Sequence, residues 1–148
     1  MKSEPSECSI DDLVRLGSVA WVGVRNYQAR NFMRDSMRVG DGVLFYHSSC
    51  AEPGVAGLAA VASAAYPDAT QFDATSPYHD PKARSDAPRW VNVDVKLERQ
   101  TRLLSLAEMR RTPALASMQV LQRGNRLSIT PVTGTEWRAV QALLAAPQ

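Results

Sequence analysis

Apolar and polar residues alternate over residues 91–97, where Val91, Val93, Val95 and Leu97 interleave with Asn92, Asp94 and Lys96. A period of two places the aliphatic chains on one face and predicts a half-buried strand. Trp90 shares the parity of the polar set, so its ring is expected to point away from the valines. Residues 43–47 predict a second strand, with Val43, Phe45 and His47 on one face and Leu44, Tyr46 and Ser48 on the other. Gly40-Asp-Gly42 ahead of it is a turn signal. Residues 48–53 read as a loop. Residues 54–65 read as a strand of small side chains, which another backbone or a ligand can approach closely.

The 3.6-residue period marks the helices. Ser9-Ile-Asp-Asp12 resembles a capping box with a shorter acid, and Leu13, Val14 and Leu16 follow before Gly17. Residues 21–25 read as a loop. Asn26 can cap a helix reaching about residue 37, with Phe32, Met33 and Met37 turned inward. Arg30, Arg34 and Arg38 recur every four residues and so share a face. Ser105-Leu-Ala-Glu108 opens a helix to about residue 111. Thr133-Gly-Thr-Glu136 opens a last helix striped by Trp137, Val140, Leu143 and Leu144. Between them, residues 113–122 predict one or two helical turns, and residues 126–130 a strand stopped by Pro131. Residues 67–89 hold four prolines and read as a long irregular excursion, a kind of segment that is usually functional or mobile. The sum is an α+β chain: a mixed sheet curled into a small barrel with flanking helices.

The length of 148 residues fits one domain over 1–148, large enough for a core without metal or disulfide. No apolar run approaches the ~20 residues of a membrane span, and Met-Lys-Ser-Glu-Pro lacks a signal-peptide core. Cys8 and Cys50 read as free thiols of a reducing, cytoplasmic compartment. The net charge of +2 hides an uneven distribution. Residues 41–80 carry five acids and no Lys or Arg, whereas residues 81–111 carry eight basic residues against four acids. Such a pattern can build a basic face suited to nucleic acid.

Residues 21–31 (Trp-Val-Gly-Val-Arg-Asn-Tyr-Gln-Ala-Arg-Asn) concentrate the candidate chemistry. Aromatic rings beside amide and guanidinium groups suit a flat polar ligand such as a nucleobase, whose stacking contributes about 1–3 kcal/mol.

The order Lys2-Ser-Glu-Pro5, the 21–31 block, Gly40-Asp41, Phe45-Tyr-His-Ser48, Tyr66-Pro-Asp68, Pro88-Arg-Trp90 and Leu127-Ser-Ile-Thr-Pro-Val-Thr133 resembles the EVE domain family across essentially the whole chain. The resemblance implies a PUA-like fold, related to the YTH and SRA modules that hold a flipped modified base. It implies a reader of modified bases in DNA or RNA, not a catalyst. Members usually carry an extended apolar segment such as Tyr-Trp-Leu ahead of this stretch. The present chain starts at Met1, which predicts a shortened first strand with an exposed edge.

Within that frame Trp21 and Trp90 are the expected aromatic walls. Tyr27 and Tyr46 can stack or donate. Asn26 offers a donor and an acceptor to a base edge, unless the helix cap consumes them. Ser3, His47 and Ser48 add small polar groups at the same mouth. Lys2, Arg25, Arg30 and Arg34 are candidate phosphate ligands, and Asp68 is expected to fix a turn. No metal or cofactor is expected, and a monomer is favoured. Two other readings remain open. One is a small hydrolase of the kind found among PUA-like ASCH modules, using His47, Ser48, Cys50, Asp68 or His79, although none of these sits in a nucleophile-elbow or metal-ligand spacing. The other is a regulatory module holding a small ligand.

Overall fold

The alternation over residues 43–47 builds the central strand pair of the fold. In the computed structural model, which describes residues 1–146, β3 (Gly42–His47) runs antiparallel to β4 (Gly54–Val61). Val43 and Phe45 enter one hydrophobic cluster, and Leu44 and Tyr46 enter another on the opposite face. The sheet is therefore buried on both sides, and every residue of β4 is buried. That explains its small residues. A Cβ on Gly57 would run into Ile10, and one on Gly54 into the backbone of Leu104. The close neighbours are protein, not ligand.

β4 pairs in turn with β7 (Asp94–Ser105), and β7 with β2 (Ser18–Ala20). On the other flank β1 (Lys2–Ser3) lies parallel to β3, with Lys2 opposite Tyr46 and Ser3 opposite His47. The five-stranded order is β1-β3-β4-β7-β2, so β1 and β2 are its edges. Both edges line one cleft, which means that the sheet curls until they face each other across an open seam. The α+β class and the curled mixed sheet agree with the sequence.

Several details differ from expectation. The valine strand breaks after β6 (Val91–Asn92), which pairs with β5 (Tyr66–Pro67), and β7 then continues to Ser105. Residues 126–130 form no strand. Their backbone meets β1 through Lys2 N donating to Ser128 O at 2.7 Å, so the short first strand is backed by this segment and not left bare. The Asn26-capped helix, α2 (Tyr27–Asp35), ends before Met37. Arg38 lies beyond it, so the arginine stripe is not one continuous helix face.

The caps form as read at α1 (Ile10–Leu16) and α4 (Gly134–Ala145), where Ser9 with Asp12 and Thr133 with Glu136 make reciprocal boxes. Gly17 closes α1 at φ 80°. α3 (Leu106–Arg110) has half a box: Ser105 accepts from Glu108 N, but the Glu108 carboxylate turns to Arg102. α1 and α2 cover the Phe45 face of the sheet, while α3, α4 and two 3-10 turns cover the Tyr46 face. Trp137 packs on that second cluster, as its helix stripe requires.

Candidate functional site

The seam between β1 and β2 opens into a cleft of about 850 Å³. Trp21 follows β2 directly, and Trp21 N donates to Val93 O at 2.9 Å, which fixes the loop start against the sheet. Its ring packs edge-on to Phe45, with centroids 5.5 Å apart, and only 7% of the residue is exposed. The exposed part lines the cleft. The indole N–H has no hydrogen-bond partner among the described residues.

The proline-rich excursion supplies the facing wall, which sequence reasoning missed. Tyr78 lies over Gly23, and its phenolic O–H donates to Glu7 Oε2 at 2.8 Å. Burial and the neighbouring Glu7 carboxylate push the Tyr78 phenol up to about 12. No periodic signal marks Tyr78. Its placement depends on contacts 53 and 71 residues away in sequence.

Arg25 fixes that wall. Its Nε and Nη2 donate to Tyr78 O at 3.0 and 2.7 Å, its Nη2 to Thr70 Oγ1, and its Nη1 to Val24 O and Asp68 Oδ2. Asp68 is fully buried and also accepts from Gly23 N, Thr70 N and Thr70 Oγ1. Burial works to raise its pKa, but the hydrogen bonds from Thr70, Gly23 and Arg25 outweigh it and hold the carboxyl below its usual range. Asp68 is therefore the anchor of a turn and more: it ties the 21–25 loop to the excursion.

Trp90 lies elsewhere. It is 5% exposed, stacks on Tyr27 at 4.8 Å, and donates its indole N–H to Asp80 Oδ2 at 2.8 Å. That bond holds the Asp80 carboxyl below its usual range. Arg25 contacts both the Trp90 and Tyr78 rings, 5.4 and 5.8 Å from their centroids, and of the two rings Tyr78 alone lines the cleft. Gln71, a buried residue not singled out in the sequence, clamps this region. Its Nε2 donates to Asp68 O and Trp90 O, and its Oε1 accepts from Arg89 N and Trp90 N.

The remaining candidates divide in the same way. Ser3, Ser48 and Lys2 line the cleft with Trp21. Ser3 Oγ donates to Cys8 O at 2.7 Å, and Lys2 Nζ reaches Asn125 O at 3.5 Å. Burial lowers the Lys2 pKa. Asn26, Tyr27, Tyr46, His47 and Trp90 do not line the cleft. Asn26 Oδ1 is committed to the cap, accepting from Ala29 N. Tyr46 belongs to the opposite core. His47 Nε2 accepts from Ile10 N at 3.0 Å, and burial lowers its pKa.

Arg30 bonds Asn31 and Arg89 O and stacks on Tyr27, while Arg34 pairs with Asp35. Arg25 and Arg30 are thus held by bonds within the protein, whereas Arg34 and Asp35 form an exposed pair at the surface. A second groove of about 710 Å³, beside Trp137, collects none of the residues singled out in the sequence as base or phosphate ligands. No cluster of three metal-ligating side chains occurs among the described residues, and no described helix is long and apolar enough to cross a membrane.

Known proteins resemble this chain along its length. The family model of the EVE domain matches residues 1–143. Human thymocyte nuclear protein 1 is 41% identical over 97% of this chain and 72% of its own length. A crystal structure of a Pseudomonas syringae protein superposes with a TM-score of 0.93 at 47% identity, covering 97% of this chain and 96% of the other. The human THYN1 protein, solved in complex with DNA containing 5-methylcytosine, superposes with a TM-score of 0.92 at 40% identity, covering 100% of this chain and 97% of that one.

Proposed function

The chain belongs to the EVE domain family, with its PUA-like fold, and from that premise we propose that it binds nucleic acid and reads a modified base in the seam cleft without catalysing a reaction. One observation carries the reading: Trp21, whose indole N–H has no partner among the described residues, lines a cleft of about 850 Å³, roomy enough for a base, at the open seam of the sheet. The complex of a structural relative that matches the whole of this chain with 5-methylcytosine DNA supports the ligand class.

The cleft matches the chemistry of a base. Trp21 and Tyr78 supply ring surfaces, and Ser3 and Ser48 supply small polar groups. Glu4, at the same cleft, offers an acceptor to an exocyclic amino group. Extruding a base from its strand costs a few kcal/mol, which stacking of about 1–3 kcal/mol and edge hydrogen bonds offset. A methyl group adds about 1–3 kcal/mol where the pocket fits it. Asn26, Tyr27, Tyr46, His47 and Trp90 then serve the scaffold that shapes the cleft.

The non-catalytic reading rests on the same geometry. His47 Nε2 is occupied by Ile10 N–H, and Asp68 accepts four hydrogen bonds, so neither is a free base beside a nucleophile. The protein acts as a monomer in the cytoplasm, where Cys8 and Cys50 stay reduced.

Fluorescence anisotropy with matched oligonucleotides carrying cytosine or 5-methylcytosine tests the proposal. The modified strand should bind roughly tenfold more tightly, the low end of what one fitted methyl supplies. Equal affinity for both strands, or no binding to either, contradicts it.

A further inference from the structure

Arg25 and Arg30 are held by internal bonds, and neither they nor the exposed Arg34 line the cleft, so the charge that meets a phosphate backbone there comes from the cleft's own rim. The rims of the cleft differ in sign. Tyr78 lies beside Glu7, with Glu4 close enough to raise its pKa further, which makes that rim acidic. The other rim is the loop following the 3-10 turn Gln119–Leu121, where Asn125, Arg126 and Ser128 line the cleft beside Lys2. Arg123 is exposed and Arg126 sits at the cleft, and neither makes a side-chain hydrogen bond or ion pair with any described residue.

The loop that carries them is braced. Asn125 Nδ2 donates to Gln119 O at 2.8 Å, and its Oδ1 accepts from Leu127 N at 2.9 Å. Gln122 Nε2 donates to Ala116 O and Met118 O. Arg126 thus stands at the cleft on a fixed support, and the exposed Arg123 precedes it by three residues in the same loop. A guanidinium offers a donor fork that matches phosphate oxygens.

We infer that Arg123 and Arg126, with Lys2, form the phosphate-binding rim, and that the sugar–phosphate backbone lies along this rim while the base turns toward Trp21. The inference rests on the nucleic-acid reading above. The acidic rim of Glu4 and Glu7 repels the backbone and sets its side of approach. These residues position the strand and carry no base information of their own.

Salt-dependent binding of a 5-methylcytosine oligonucleotide tests this. Removing one phosphate-binding cation lowers the slope of log K against log salt by about 0.7 for a single strand and about 0.9 for a duplex. In the Arg123→Ala/Arg126→Ala variant that slope should be shallower by about 1.4–1.8, and binding at low salt about tenfold weaker, equally for cytosine and 5-methylcytosine. Arg34→Ala should keep the wild-type slope, and Arg126→Lys should retain part of the affinity that alanine removes. Circular dichroism checks that each variant is folded. Wild-type binding with an unchanged slope in the double variant overturns the rim and leaves the reader standing. Absence of wild-type binding overturns both.

Discussion

The ring of Tyr78 rests on Gly23 so closely that a Cβ there would stand 2.7 Å from the ring's Cζ. Gly23 also sits at φ 86°, in the left-handed region where a side chain is strained. The glycine in the 21–31 block is thus the seat of the cleft's second wall. Gly23→Ala should cost at least about 1–2 kcal/mol from the backbone alone. Urea denaturation should show that loss, and oligonucleotide affinity should fall as Tyr78 is displaced. Unchanged stability and affinity would mean that the ring has room to move aside.

Asp68 makes stability fall with acid. Its folded pKa lies below the ordinary value near 3.9, so its contribution is complete above that value and disappears as pH drops through the folded pKa. Asp68→Asn should cost about 1.5–3 kcal/mol at neutral pH, the usual scale for hydrogen bonds to a charged group. The variant should also lose part of the acid dependence. Unfolding curves at neutral pH and at acid pH below about 4 check both effects.

His47 acts in the same direction in a higher window. Its pKa is depressed because burial opposes the charged ring, and Nε2 must stay unprotonated to accept from Ile10 N. The unfolded chain takes up the proton near pH 6.5, so stability should decline as pH falls from that value toward the folded pKa. NMR titration of the His47 ring should give a midpoint below 6.5. His47→Phe should remove this part of the pH dependence. A midpoint above the ordinary histidine value would contradict the placement.

Trp90 and Trp21 should separate in experiment. Trp90→Phe keeps a ring on Tyr27 but loses the bond to Asp80. It should lower stability measurably while leaving the affinity of the folded protein near wild type. Tyr78→Ala should reverse that balance and weaken binding more than it weakens the fold. Anisotropy and urea denaturation on the same samples distinguish the two. A binding loss confined to Trp90→Phe would place the base at the Tyr27 stack.

Local pattern revealed much of the fold and only half of the cleft. The valine alternation marked the strand, but not the surroundings of Trp90. Arg25, held by Asp68 and Tyr78, packs against the Trp90 ring, and Trp90 does not reach the cleft. Residues 98–101 extend β7 with polar side chains, so no apolar alternation marks them. Residues 126–130 carry a strand-like sequence but meet β1 through Lys2 N and Ser128 O alone. Ser3, Trp21 and Ser48 were recognisable because their own motifs bring them to the seam. Tyr78 and Arg126 were not, because only the folded chain carries them there.

NMR titration of the isotopically labelled protein with a 5-methylcytosine oligonucleotide tests the location of the base most directly. The largest shifts should fall on the Trp21 indole N–H and on the amides of Ser3, Ser48 and Tyr78. The Trp90 indole, bonded to Asp80, should move little. Shifts centred on Trp90 and Tyr27, with the Trp21 indole unmoved, would contradict the seam cleft as the place where the base is held.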